Sequence, residues 1–208
     1  MKNRFIWNLA AVVAAAALNG ATAAAQSDPS PTTVAVLKGT ASFDSATNVP
    51  AVSVHGKSAD LQGHAQIHLT GDGLKLERVE ARLPVKTITT GLGMRDAHMR
   101  QYIFTTPDGQ IPDVTFFANQ AACAAAGREA STCSLAGQLT IRDTARPFNI
   151  VLKVTKNGTE YKAVGDGAVT LSTYGIERPS QLGVMSTDDV KVHLEFTARA
   201  VPAQGARR

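Results

Sequence analysis

The chain has only two cysteines, a single long apolar stretch, no clustered basic residues and no nucleophile or phosphate-loop signature. Each shortage excludes something. Two cysteines without neighbouring histidine or carboxylate partners cannot complete a tetrahedral zinc shell. The formal charge of +4 includes Lys2 and Arg4 and falls to about +2 without them. The remaining basic residues are scattered, so the basic face that nucleic acid requires is missing. Gly-x-Ser-x-Gly and P-loop patterns are absent. Gly91-Leu92-Gly93 is too short and wrongly placed for a dinucleotide fingerprint. His64 and His68 are four residues apart, roughly 13 Å along a strand, and cannot share one ion. His55 and His193 stand isolated in the sequence. No metal site is expected.

The one long apolar stretch lies at the start. Lys2 and Arg4 precede Phe5 to Leu18, which only Asn8 interrupts, and Ala23-Ala24-Ala25 follows. Basic, apolar and small-residue regions in that order describe a signal peptide over residues 1–25, cut after Ala25. The stretch falls short of the roughly 20 residues that span a bilayer, and no cysteine near the cut offers a lipid anchor. The expected location is a bacterial periplasm. Residues 26–33, with Pro29 and Pro31, read as a disordered lead, 34–200 as one domain, and 201–208 as a disordered tail. In an oxidising compartment Cys123 and Cys133 favour a disulfide, with two lone thiols as the alternative.

Period-two alternation fills the domain. Leu61, Gly63, Ala65, Ile67 and Leu69 alternate with polar residues, as do Val79, Ala81 and Leu83. The same holds for Val114 and Phe116, for Cys133, Leu135, Leu139 and Ile141, for Phe148, Ile150 and Leu152, and for Val190 to Ala198. Alternate strand residues face opposite sides, so each run has one dry and one wet face. Gly71-Asp72-Gly73 and Asn157-Gly158 mark turns. With an amino-terminal strand near Val34 to Phe43, continuing through Val52 to His55, about eight strands result. The fold class is all-β, and an up-and-down eight-stranded antiparallel barrel is the economical closure; a sandwich competes. From Gly91 to Ile111 alternation stops, and a short helix is expected within 94–104.

The inward set decides what such a barrel holds. Gly63, Ala65, Ala81, Gly137, Ala163, Gly165 and Gly167 leave room, unless they serve strand coiling instead. The expected apolar lining is Ile67, Leu69, Val79, Leu83, Phe116, Leu135, Leu139, Ile150, Leu152 and Phe196. Arg95, Asp96, His98, Met99 and Tyr102 are placed at the barrel rim or against a ligand head group. There Asp96 is expected to cap the helix by accepting from backbone amides, and Arg95 to tether the loop.

Several motifs occur in a fixed order: Thr90-Gly91, Arg95-Asp96-Ala97-His98-Met99, Pro112-Asp113-Val114-Thr115-Phe116, Gly137-Gln138-Leu139-Thr140, Arg146-Pro147 and Tyr174-Gly175-Ile176. From about Leu61 to Ala200 the chain resembles the YceI-like family of bacterial periplasmic proteins. It departs from the family at Ala51 to Gly56, where an aromatic-rich hairpin is usual, at Gln101 to Phe104, and at Asp108-Gly109-Gln110. The resemblance implies a lipocalin-like barrel with an amphipathic helix over one end. The implied ligand is a polyisoprenoid or similar long-chain lipid, such as a quinone precursor. It implies binding without catalysis and no cofactor. The partners would be a small lipid and, transiently, a membrane surface, with the protein a monomer or homodimer. The alternatives are an enzyme using Arg95, Asp96 and His98, or a ligand-free structural or stress-response protein.

Overall fold

The alternating runs become the staves of a closed barrel. The computed structural model describes residues 31–201 apart from 71, 72 and 128; the signal-peptide reading of 1–25 and the tail from 202 lie outside that range. Ten strands are found among the described residues: β1 (Thr32–Thr47), β2 (Ser53–Ser58), β3 (Gln62–Thr70), β4 (Gly73–Leu83), β5 (Val114–Ala125), β6 (Ala130–Ile141), β7 (Thr144–Asn157), β8 (Glu160–Thr170), β9 (Ser180–Gln181) and β10 (Val184–Ala200). The sheet runs β2-β1-β3-β4-β5-β6-β7-β8-β10-β9, and β1 also pairs with β10. That last pairing closes an eight-stranded antiparallel ring of β1, β3, β4, β5, β6, β7, β8 and β10.

Two boundaries differ from the sequence reading. Thr32 and Thr33 belong to β1, opposite Ile67 and Gln66, so the strand begins inside the expected lead. Val201 is tied in as well, its amide donating to the Thr33 carbonyl at 2.9 Å. The Val52–His55 segment is not a continuation of β1. It turns back as β2 and pairs with Ala41 to Ala46, on the edge whose amino-terminal half holds β3.

The ring has two unlike ends. At one end the connections are short: β5 to β6 crosses residues 126–129, and β7 to β8 turns at Gly158, whose φ of 60° suits a hairpin turn. Near this end Cys123 and Cys133 face each other across β5 and β6 and form a disulfide. At the other end lie the long connections, including 84–113 between β4 and β5. This connection carries helix α1 (Gly93–Met99), extended by a wider helical turn over Arg100–Phe104.

Bulges adjust the ring where alternation alone would not. In β4 the register against β3 slips past His64, and Arg78 takes a left-handed φ of 45° there. In β5 it slips between Phe117 and Ala121, so Ala118 and Ala121, three apart, are both buried. The dry face forms one core with Ile67, Leu76, Cys133, Leu135, Ile150, Leu152 and Ala163 at its centre.

Candidate functional site

The small inward residues divide into two groups. At Gly137 an added Cβ would sit 2.4 Å from the Phe117 carbonyl oxygen and 2.6 Å from the Phe116 ring. At Gly165 it would meet Val151 oxygen at 2.6 Å and Leu152 at 2.4 Å, and at Gly167 the Phe148 ring at 2.7 Å. These three glycines do not open the interior. They let strands approach and let Phe116, Phe148 and Leu152 lie across them. Gly63 is a close approach too, an added Cβ falling 2.8 Å from the Glu80 carbonyl oxygen, although it also lines an internal cavity. Ala65, Ala81 and Ala163 line the same cavity.

That cavity measures about 1140 Å³. Its wall is hydrocarbon from nearly every strand, including Ile67, Val79, Leu83, Phe116, Leu135, Leu139, Ile150, Leu152 and Phe196. Leu69 is the exception among the expected lining residues. It is half exposed and does not touch the cavity. Alternation gives it the same face as Ile67, but Ile67 already stands opposite Thr32, the first described residue of β1, and Leu69 lies beyond that pair.

The lining residues also locate the mouth. Toward the hairpin end, Val34, Leu74 and Val154 are all buried. At the helix end, Leu182 is 97% exposed, Tyr102 61% and Val52 43%, and all three still line the cavity. The opening is therefore at the helix end, ringed by the turn between β1 and β2, the α1 region and the loop before β10.

The Arg95 to Tyr102 group divides by role. Arg95, His98, Met99 and Tyr102 line the mouth, whereas Asp96 does not. Asp96 is buried and accepts from the Thr89 hydroxyl at 2.7 Å, the Thr90 amide at 2.7 Å and the Thr90 hydroxyl. It does not occupy the capping position, which is Leu92, whose side chain makes no capping bond. Asp96 instead reaches back to the strap before the helix. Burial pushes its carboxyl up, but the donors from Thr90 and Thr89 and the Arg100 charge outweigh burial and hold it below the ordinary carboxylate range. Arg95 lies over the same strap, its Nε donating to the Thr90 hydroxyl at 2.9 Å and its Nη2 to the Thr90 carbonyl at 3.0 Å. His98 stacks edge-on against Tyr102, with centroids 5.7 Å apart. Asp96 and His98 do not pair, so the acid–base couple that the catalytic alternative needs is not assembled here.

Sequence reasoning missed a third tether. Arg142, in the two-residue turn between β6 and β7, has a φ of 59° and lines the mouth. Its Nε donates to the Ile103 carbonyl at 2.8 Å and its Nη2 to the Tyr102 carbonyl, holding the end of the helical segment. The alternation placed Arg142 on a wet face. The only available signal was Arg142-Asp143 at a strand junction. The loop over 175–182 was missed too. It is launched by Gly175 in a left-handed conformation, φ 68°, with the Ile176 amide bonded back to Leu171 oxygen at 3.2 Å.

An eight-stranded antiparallel barrel around an apolar cavity, with a short helix over its mouth, has known counterparts. The YceI-like domain model matches residues 26–198. The chain belongs to the YceI-like family. Solved structures share its fold at low identity. A polyisoprenoid binding domain from Saccharophagus degradans, implicated in plant cell wall breakdown, superposes with a TM-score of 0.60 at 14% identity, covering 81% of this chain and 98% of that one. A Campylobacter jejuni YCEI protein gives 0.58 at 15% identity, covering 74% and 90%. Burkholderia cenocepacia BcnA gives 0.56 at 17% identity, covering 76% and 95%. No curated protein matches the sequence.

Proposed function

We propose that this YceI-like protein holds one long-chain apolar lipid, a polyisoprenoid, quinone precursor or similar molecule, inside its barrel. The observation that carries the reading is the cavity. Small-molecule sites occupy about 300–1,000 Å³, and this one, at about 1140 Å³, exceeds that range and is walled by hydrocarbon. The Saccharophagus relative, described as polyisoprenoid binding, supports the same ligand class. With residues 1–25 read as a signal peptide, the protein acts in the periplasm as a carrier or store. Lipid exchange occurs at the helix-end mouth during transient contact with a membrane surface, by a monomer or homodimer, without cofactor or nucleic acid. For the Arg95 to Tyr102 group the role is binding rather than catalysis, because Asp96 is committed to Thr89 and Thr90.

The test is organic extraction of protein purified from the periplasm, followed by mass spectrometry. A long-chain lipid at close to one per protein is the expected result. An extract with no lipid, from protein that also fails to take up an added prenyl alcohol, overturns the reading.

A further inference from the structure

Read as sequence, His55 has no partner; the fold gives it two. Asp44 on β1 and His55 on β2 are register partners, and Ser53 lies two residues from His55 on the same strand face. The Asp44 carboxylate oxygen Oδ1 lies within hydrogen-bond reach of His55 Nδ1. On the other side of the ring, Nε2 is 2.7 Å from the Ser53 hydroxyl. A hydroxyl, an imidazole and a carboxylate joined in that order make a nucleophile, its base and the group that orients the base.

The backbone explains why the three meet. The Lys57 amide and carbonyl both bond to Thr89, each at 2.9 Å, so they point away from β1. By the period of two, so do those of His55 and Ser53. Asp44 and His55 are therefore a non-hydrogen-bonded pair, the kind that brings facing side chains closest. The Ser53 amide is turned to the same outer edge of β2, beyond the Thr89 pairing, where it can donate to an oxyanion formed at its own side chain. Ser53 is exposed and shares the outward face of β2 with His55, at the edge of the cavity lining, while its neighbours Val52 and Val54 line the mouth. The apolar part of a substrate held at Ser53 would reach the cavity over this rim.

We infer that Ser53, His55 and Asp44 form an acyl-hydrolase site at the mouth, acting on carboxylic esters with a long apolar part. Ser53 Oγ adds to the ester carbonyl carbon while its proton passes to His55 Nε2. The carbon–oxygen bond to the alcohol breaks, and His55 returns the proton to the departing alcohol. Water, deprotonated by His55, then attacks the acyl-serine. The acid leaves and Ser53 is restored. Asp44 holds the imidazole with its Nδ1 proton toward the carboxylate and is a positioning residue. The inference rests on the lipid reading only for the substrate's apolar part.

The test uses the full mature chain with p-nitrophenyl octanoate and p-nitrophenyl acetate, together with a fluorophosphonate probe mapped by peptide mass spectrometry. Expected are labelling of Ser53 and a preference for octanoate. Ser53→Ala should lower kcat/KM at least about 100-fold. Asp44→Asn should lower kcat at least about tenfold with KM unchanged. The internal control is His193, which has a carboxylate partner, Asp166 at 2.7 Å, but no serine in that arrangement; His193→Ala should leave turnover intact. The inference fails if Ser53→Ala turns over as fast as the wild type, or if the probe labels other sites and not Ser53. Bound lipid in the extract with turnover unaffected by Ser53→Ala would sink this inference alone. Acetate turnover lost in Ser53→Ala, with no lipid in the extract and no uptake of added prenyl alcohol, would sink the lipid reading alone.

Discussion

The two ends of the barrel are built from different materials. The hairpin end is held by short turns, buried aliphatic side chains and the Cys123–Cys133 bond. The helix end also buries Val85, Ile88, Met99 and Phe104, but has no covalent tie among the described residues and adds hydrogen bonds between the side chains of Arg95, Asp96, Arg100 and Arg142 and groups of the strap and helix. The hairpin end carries a covalent bond on top of its apolar packing. The helix end supplements its packing with hydrogen bonds that exchange one for one with water, each worth only about 0.5–1.5 kcal/mol net. A container that must both retain and release its contents needs that asymmetry.

The comparison can be broken first from the inside. Ala163 is 2% exposed and lines the cavity, so Ala163→Phe puts a ring into the space. Recovered lipid should fall by at least about tenfold, because overpacking that costs about 1–3 kcal/mol in a filled core acts here on the ligand. Extraction and mass spectrometry of the variant check this. Lipid recovered at wild-type level would mean the ligand lies elsewhere.

At the hairpin end, replacing both Cys123 and Cys133 with serine should cost about 2–3 kcal/mol. That is roughly 5–10 °C in the melting temperature of a domain this size. Differential scanning calorimetry reads it directly. The hairpin end should loosen while the mouth tethers stay intact, which hydrogen exchange on the Thr89 and Thr90 amides would show.

At the helix end the expected effect is smaller and depends on pH. The folded-state pKa of Asp96 is lowered. The stability it contributes is therefore present above the unfolded value of about 3.9 and is lost as pH falls from there through the folded value. Protection of the Thr90 amide should decline below about pH 4. Asp96→Asn should flatten that decline and lower protection at neutral pH. A decline that survives in Asp96→Asn would assign the effect to another carboxylate.

A contrast between a large and a very small effect sharpens the boundary of the cavity. Ile67→Ala should cost about 2–5 kcal/mol as a core truncation, whereas Leu69→Ser, at a half-exposed position, should stay within about 0.5 kcal/mol. Urea denaturation of the two variants measures the contrast.

Much of this was legible in the alternation, because a strand's two faces are fixed by geometry. It picked out most of the cavity wall, from Ile67 to Phe196. It could not show where a strand runs past its neighbour, which is why Leu69 was misplaced. Nor could it distinguish a glycine that makes room from one already covered, since Gly165 and Ala163 look alike until Leu152 is seen lying over the first. The helix was foreseen from the break in alternation, but its fastening to Arg142 was not. That contact joins residues 39 and 40 apart in sequence and depends on a turn conformation that arginine seldom takes. The Asp44–His55–Ser53 group was hidden for a similar reason: only the β1–β2 register brings the carboxylate opposite the imidazole.

The pairing of β1 with β10 has a further consequence, for the order of folding. Val34 stands opposite Ala200, so the first strand of the ring finds its second neighbour in the last one. Local hairpins β3–β4, β5–β6, β6–β7 and β7–β8 can form early, but the ring closes only through the contact of longest sequence separation, the kind that folds slowly. Until β10 docks there is an open, curved sheet with an exposed apolar face and no enclosed space. A lipid present at that moment can be wrapped by the closing barrel instead of being threaded through a finished mouth, so the first molecule held and those exchanged later can arrive by different routes.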